Sequence, residues 1–119
     1  MDGEISPDDV EALLDEGADV CVVDIRNPQS YDRGHIPGST NLPFPRLTSA
    51  VERFDDCEHV VTVCPHGKSS VQAANLIASY QGFDGRVESM AGGLTAWDGS
   101  LVAGTDDEAE SDEGPAAPF

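Results

Sequence analysis

His59-Val60-Val61-Thr62-Val63 runs without a break into Cys64-Pro65-His66-Gly67-Lys68-Ser69-Ser70, and the chain continues as Val71-Gln72-Ala73-Ala74-Asn75-Leu76-Ile77-Ala78-Ser79-Tyr80. The first five residues are β-branched and apolar enough for a buried strand. In the last ten, Val71, Ala74, Ile77 and Ala78 recur at helical spacing and Gly82 offers a C-terminal stop, which predicts a helix over 69–81. A strand, a tight loop and a helix therefore follow one another, with one cysteine at the turn.

A helix start presents unpaired backbone N–H groups and the positive end of the helix dipole, so a sulfur placed there is favoured as the thiolate. Such surroundings hold a cysteine below its ordinary pKa. Gly67 lets the loop turn its N–H groups inward, and Lys68 adds a positive charge. The segment reads as an anion-holding loop around a nucleophilic Cys64. Its plain alternative is a buried thiol that ends a strand; Pro, Gly, Lys and two Ser within the next six residues argue against that.

Outward from this segment, Ser6-Pro7-Asp8-Asp9 opens a helix: Ser6 caps, Pro7 suits the first turn, and the acids oppose the dipole. Val10, Leu13 and Leu14 give it an apolar face and Gly17 ends it. Val20-Cys21-Val22-Val23 is short and unbroken, as expected of an inner parallel strand, with Cys21 as core. Asp24-Ile25-Arg26-Asn27-Pro28 leaves that strand, and Gly34 to Pro45 reads as a long irregular connection. Leu47, Ala50, Val51 and Phe54 fit a short helix. Arg86-Val87-Glu88-Ser89-Met90 fits a further strand, followed by a Gly92-Gly93 turn into a short amphipathic stretch, Leu94 to Trp97. Strands alternating with helices argue for a parallel α/β sheet, whose ligands collect at the carboxyl ends of the strands. Asp24 and Cys64 both fall there. The order of the strands is not contained in the pattern.

The chain has 119 residues, enough for one domain, with 23 acidic and six basic residues and a net charge of −17. Six of the acids follow Gly104, so the remainder still carries 17 acids against six bases, a net of −11. Such a surface excludes nucleic acid as a partner, because phosphate binding needs clustered Lys and Arg. It is of the kind expected in salt-adapted cells, where ionic strength screens self-repulsion. No long apolar run or basic-then-apolar leader is present, so a soluble cytoplasmic protein without a membrane partner is expected. Three cysteines without a C-x-x-C pair suit a reducing compartment better than a disulfide framework. Residues 104–119 have little to bury and read as a disordered acidic tail.

Asp24-x-Arg26, then Gly34-His35-Ile36-Pro37-Gly38-Ser39, then the cysteine loop at a strand end, then Gly92-Gly93-x-x-x-Trp97, resemble the rhodanese superfamily in its single-domain form. The resemblance spans nearly all of residues 4–99. It implies a five-stranded parallel sheet flanked by helices on both faces, a rhodanese-like domain over 1–103, and a Cys64 that carries sulfane sulfur as a persulfide. Pro65, His66, Gly67, Lys68, Ser69 and Ser70 would form the substrate-binding loop, with Asp24 and Arg26 in support. No cofactor or metal is implied. The chain departs from the family pattern at Ser69, where members that use thiosulfate well usually carry arginine, and at Ser30, where an acidic residue usually precedes the aromatic.

Asp24 and Arg26 read first as an ion pair ordering the loop after the strand, and His35 as a loop-packing residue. His66 would either tune Cys64 or face solvent. Zinc ligation by Cys57-x-His59 and Cys64-x-His66 is excluded by the strand between them, which separates Cys57 and Cys64 by about 20 Å at 3.3 Å per residue. Gly67-Lys68-Ser69 lacks the first glycine of a P-loop, whose place is taken by Thr62. Cys57 lies among Asp55, Asp56 and Glu58, whose charges disfavour a thiolate. The expected function is transfer of sulfur from thiosulfate or a low-molecular-weight persulfide to a thiol or protein acceptor. Two alternatives stand beside it: a non-catalytic binding or regulatory module, and a cysteine phosphatase, the latter opposed by the lack of an arginine closing the loop.

Overall fold

The computed structural model describes residues 3–54, 56–80, 83 and 85–103. Five parallel strands form one sheet: β1 (Glu4–Ile5), β2 (Cys21–Asp24), β3 (Thr40–Asn41), β4 (His59–Val63) and β5 (Arg86–Met90) lie in the order β1-β5-β4-β2-β3. The two longest strands, β4 and β5, are thus central. After their first residues both are buried on both faces, β4 mostly through valines and β5 with Glu88 and Ser89 buried between Val87 and Met90. Val23, Val60 and Val87 enter one core with Leu47, Val51, Phe54, Ala73, Ala74 and Ile77, whereas Val22, Val61, Val63 and Met90 enter a second core with Val10, Leu14, Leu94 and Trp97. Alternation along each strand therefore feeds two layers of helix.

Helix α1 (Pro7–Asp15) starts as its composition dictates, with the Asp9 N–H donating to Ser6 Oγ at 3.1 Å. Helix α3 (Leu47–Ala50) is a single turn, preceded by a 3-10 turn at Phe44–Arg46 and continued by another at Val51–Phe54. Helix α4 (Ser69–Ser79) follows the cysteine loop, and a last 3-10 turn covers Gly93–Ala96. The stop expected at Gly82 lies outside the described residues, as does the tail 104–119. None of the described helices is long and apolar enough to cross a membrane.

Several readings need correction. The connection from Gly34 to Pro45 is not wholly irregular, since it holds the short strand β3, and ahead of it stands a helix that was not expected, α2 (Pro28–Arg33), capped by Asn27 Oδ1 accepting from the Ser30 N–H at 2.8 Å. Strand β1 was also not expected. A two-residue strand carries too little periodicity to be read, and β1 and β3 exist because the sheet has edges to pair.

The larger correction concerns the thiols. Cys21 and Cys57 form a disulfide, with their Cα atoms 6.2 Å apart, and Cys64 is the free cysteine. Their separation of 36 residues hides this proximity. It arises because β2 and β4 are neighbours, with Cys21 opposite Val60, so a residue just ahead of β4 stands beside the start of β2. Cys21 is thus a bonded partner rather than a free core thiol, and the cysteine pattern gives no support to a reducing compartment.

Candidate active site

The carboxyl ends of β2 and β4 are adjacent, with Asp24 in register with Val63. Here β2 leads into Ile25-Arg26-Asn27, and β4 leads into the Cys64 loop. A cavity of about 230 Å³ opens between them, lined by Ile25, Arg26, Asn27, Ser30, Phe44, Cys64, Pro65 and Ser69.

Cys64 is 2% exposed, and its sulfur is surrounded by donors. The Gly67 N–H donates to Sγ at 3.0 Å and the Ser70 N–H at 3.3 Å, the latter at the start of α4. Ser70 Oγ lies 3.3 Å from the same sulfur. Burial pushes the thiol up, but the Ser70 hydroxyl and the backbone N–H groups of Ser70, His66 and Gly67 outweigh it, so the Cys64 pKa is lowered. The chemistry this permits is nucleophilic attack by a thiolate whose negative charge is already solvated by the backbone.

The loop can wrap the sulfur only because glycines stand at its closest approaches. Gly67 has φ +82°, and a Cβ there would meet the Gly92 nitrogen at 2.8 Å. Gly93 has φ +62°, and a Cβ there would sit 2.3 Å from the Cys64 carbonyl oxygen. Beyond that contact, the Leu94 N–H donates to the Cys64 carbonyl at 2.9 Å and the Thr95 N–H to that of Pro65 at 3.1 Å. The Gly92-Gly93 turn therefore supports the loop from below. Sequence reading had it only as a turn and as part of a family pattern.

Of the residues singled out in the loop, Cys64, Pro65 and Ser69 line the cavity. Gly67 and Ser70 are buried and act on the sulfur, whereas the side chains of His66 and Lys68 are exposed and do not line the cavity. The cation that lines it is Arg26. Asp24, 1% exposed, accepts from Arg26 Nε at 2.9 and 3.1 Å and from Nη2 at 2.8 Å. Nη2 also donates to the Gly34 carbonyl at 2.7 Å. Asn41 Nδ2 then ties the carbonyls of Asp24 and Arg26 together at 3.0 and 2.9 Å. Asp24 and Arg26 are thus an ion pair that orders the turn, yet Nη1 of Arg26 has no acceptor among the described residues.

His35 is 1% exposed, stacked on Tyr31 with ring centroids 3.7 Å apart, and placed with Nδ1 2.8 Å from the Tyr31 carbonyl. It packs the Gly34–Ser39 turn and does not line the cavity. Behind Cys64, a residue that sequence reading passed over comes forward: Ser89 of β5 is wholly buried and its Oγ lies 2.7 Å from Ser70 Oγ. Only its place on a strand next to β4 could have marked it.

Comparison with known proteins agrees with this geometry. The family model of the rhodanese-like domain matches residues 6–100. Thiosulfate sulfurtransferase GlpE of Pseudoalteromonas translucida is 43% identical over 86 residues, covering 72% of this chain and 79% of that protein. The protein of the same name from Pseudomonas fluorescens is 40% identical over 101 residues, covering 85% and 89%. Among solved structures, a human single-domain sulfurtransferase matches with a TM-score of 0.67 at 29% identity, covering 79% of this chain and 93% of that one. With its parallel sheet, its cysteine loop and these relatives, the chain belongs to the rhodanese-like domain family, as a sulfurtransferase of the single-domain type.

Proposed function

We propose that the chain moves sulfane sulfur through a persulfide on Cys64, taking it from thiosulfate or a low-molecular-weight persulfide and passing it to a thiol. The observation that carries this reading is the free Cys64 sulfur held under the Gly67 and Ser70 N–H groups at a cavity of about 230 Å³. In the first step the Cys64 thiolate attacks the outer sulfur of the donor. A new S–S bond forms to Sγ, the donor's own S–S or S–SO₃ bond breaks, and its electron pair leaves on a thiolate or on sulfite. In the second step an acceptor thiolate attacks the terminal sulfur, and the Cys64 thiolate is regenerated. Neither step consumes an oxidant or a cofactor.

Arg26 gives the donor its orientation in this reading. Pinned by Asp24 and Gly34, it leaves Nη1 for the anionic end of the donor, while Ile25, Phe44 and Pro65 supply apolar walls. This replaces Lys68 as the cation expected to hold the donor, and it offsets the loss of an arginine at Ser69. The names of the two bacterial relatives support thiosulfate as one donor. We read the net charge of −17 as a surface suited to a salt-rich cytoplasm, with residues 104–119 as an acidic tail that takes no part in transfer.

Mass spectrometry of the protein before and after thiosulfate treatment tests the reading. A gain of one sulfur on the Cys64 peptide, removed by a thiol, is the expected result. No gain on Cys64, or a phosphoryl adduct after treatment with a phosphate ester, would replace sulfur transfer by a binding module or a phosphatase.

A further inference from the structure

We propose that Ser89 is a positioning residue for Cys64, acting through Ser70 in a buried relay that runs Ser89 O–H to Ser70 Oγ and Ser70 O–H to Cys64 Sγ. The inference rests on Cys64 being the reacting group. Both serines are wholly buried, the two hydroxyl oxygens are 2.7 Å apart, and Ser70 Oγ is 3.3 Å from the sulfur.

Hydrogen counting sets the direction. Among the described residues, Ser89 Oγ meets only Ser70 Oγ, whereas Ser70 Oγ meets both Ser89 Oγ and the sulfur. If the thiol donates to Ser70, the single contact between the two hydroxyls uses only one of their hydrogens, and the other is left buried without an acceptor, which is costly. If Ser89 donates to Ser70 instead, both hydroxyl hydrogens are used and the relay ends by pointing an O–H at the sulfur. That arrangement solvates a thiolate. A thiol would have to leave its own hydrogen, a weak donor, without a partner.

Donation from Ser89 also makes Ser70 a stronger donor, because hydrogen bonds in series polarise one another. Main-chain contacts hold the relay in line. Thr62 Oγ1 donates to the Ser70 carbonyl at 2.7 Å, and Ser89 N–H is anchored on the Gly3 carbonyl at 3.1 Å. The lowered pKa of Cys64 includes the Ser70 hydroxyl among its causes, in keeping with an O–H directed at the sulfur. A role in sulfur transfer follows: Ser89 raises the fraction of reactive thiolate without touching the donor.

The test is the pH profile of Cys64 alkylation by iodoacetamide, read on the Cys64 peptide by mass spectrometry, in wild type, Ser89→Ala, Ser70→Ala and the double variant. Alkylation does not depend on sulfur transfer, so this result stands apart from the fate of the persulfide reading. Ser89→Ala is expected to raise the midpoint by about half a pH unit, a roughly threefold loss of thiolate below it. Ser70→Ala should raise it further, and the double variant should match Ser70→Ala alone, since Ser89 acts only through Ser70. Transfer assays should show the Ser89 effect in the rate at low pH and not in the KM for thiosulfate. An unchanged midpoint in Ser89→Ala, or effects that add in the double variant, would overturn the proposal. Ser89→Gly, which also removes the hydroxyl, takes the place of Ser89→Ala if the latter does not fold.

Discussion

Strands β2 and β4 carry cysteine chemistry at both of their ends, and the two ends treat sulfur in opposite ways. At the start, Cys21 and Cys57 are consumed in a bond with each other. At the finish, Cys64 is kept free and receives N–H donors from Gly67 and Ser70. The difference comes from the direction of the strands. The carboxyl end of β4 leads into the N-terminus of α4, where backbone donors have no other acceptor, so an anion there is stabilised. Cys57 precedes its strand, among acidic neighbours, and has a second thiol beside it. In a parallel α/β domain the fate of a cysteine is thus decided by which end of the strand it occupies.

The largest effect expected from this contrast is on activity. Cys64→Ser should reduce sulfur transfer below detection while leaving the melting temperature near that of wild type, because an oxygen in the same cradle neither attacks nor carries sulfane sulfur. Cys57→Ser should keep most of the turnover, since the disulfide lies at the opposite end of the strands. Equal losses in steady-state assays of the two folded variants would erase the distinction between the ends.

On stability the order reverses. A disulfide closing 36 residues restricts the unfolded chain and is worth about 3–4 kcal/mol in the loop-closure account. Cys57→Ser should therefore unfold at markedly lower denaturant than wild type, by about that amount in a urea titration. A midpoint within experimental error of wild type would mean that the bond contributes nothing to the domain.

Much of this contrast was legible in the sequence, and the part that was not has physical reasons. The strand, loop and helix around Cys64 were readable because local propensity and tertiary role agree there: β-branched strand, glycine in the turn, helical spacing after it. Asp24 and Cys64 were placed at one end of the sheet for the same reason. The disulfide was not readable, because pairing of Cys21 with Cys57 depends on β2 and β4 being neighbours, and strand order leaves no mark on local pattern. Lys68 was overvalued on the same grounds: sequence proximity to Cys64 is not spatial convergence, and Arg26, 38 positions earlier, is the cation that lines the cavity. Ser89 and Gly93 were missed as site residues because each acts through a neighbour that comes from another part of the chain.

A smaller effect is expected from the cavity's cation. Arg26→Lys keeps one positive charge but loses the planar fork that can hold Asp24 and still present Nη1. The KM for thiosulfate should rise about tenfold, equivalent to about 1.4 kcal/mol, with kcat less affected. A donor persulfide without a charged end should be nearly indifferent to the change. If both donors respond alike in steady-state kinetics at matched ionic strength, Arg26 serves only to order the turn.

The smallest effect sharpens the comparison through pH. Because the Cys64 pKa is lowered in the folded protein by Ser70 and the loop N–H groups, the unfolded chain binds a proton on Cys64 that the native state has already released. Between the folded value and the ordinary cysteine value, raising the pH therefore stabilises the fold; the contribution is complete above the ordinary value and is lost as pH falls through the folded one. Transfer should follow the folded value alone, declining as the thiolate is protonated. Cys21 and Cys57 do not titrate in the disulfide, so the starting end of the strands supplies no such dependence. Denaturant titrations at a series of pH values should show the stability gap between wild type and Cys64→Ala changing in favour of wild type as pH rises, with the same trend in Cys57→Ser against the corresponding double variant. A gap that stays constant, or that moves the other way, would mean that the donors around Cys64 do not hold a thiolate more strongly than water does, and that the two ends of the strands differ only in geometry.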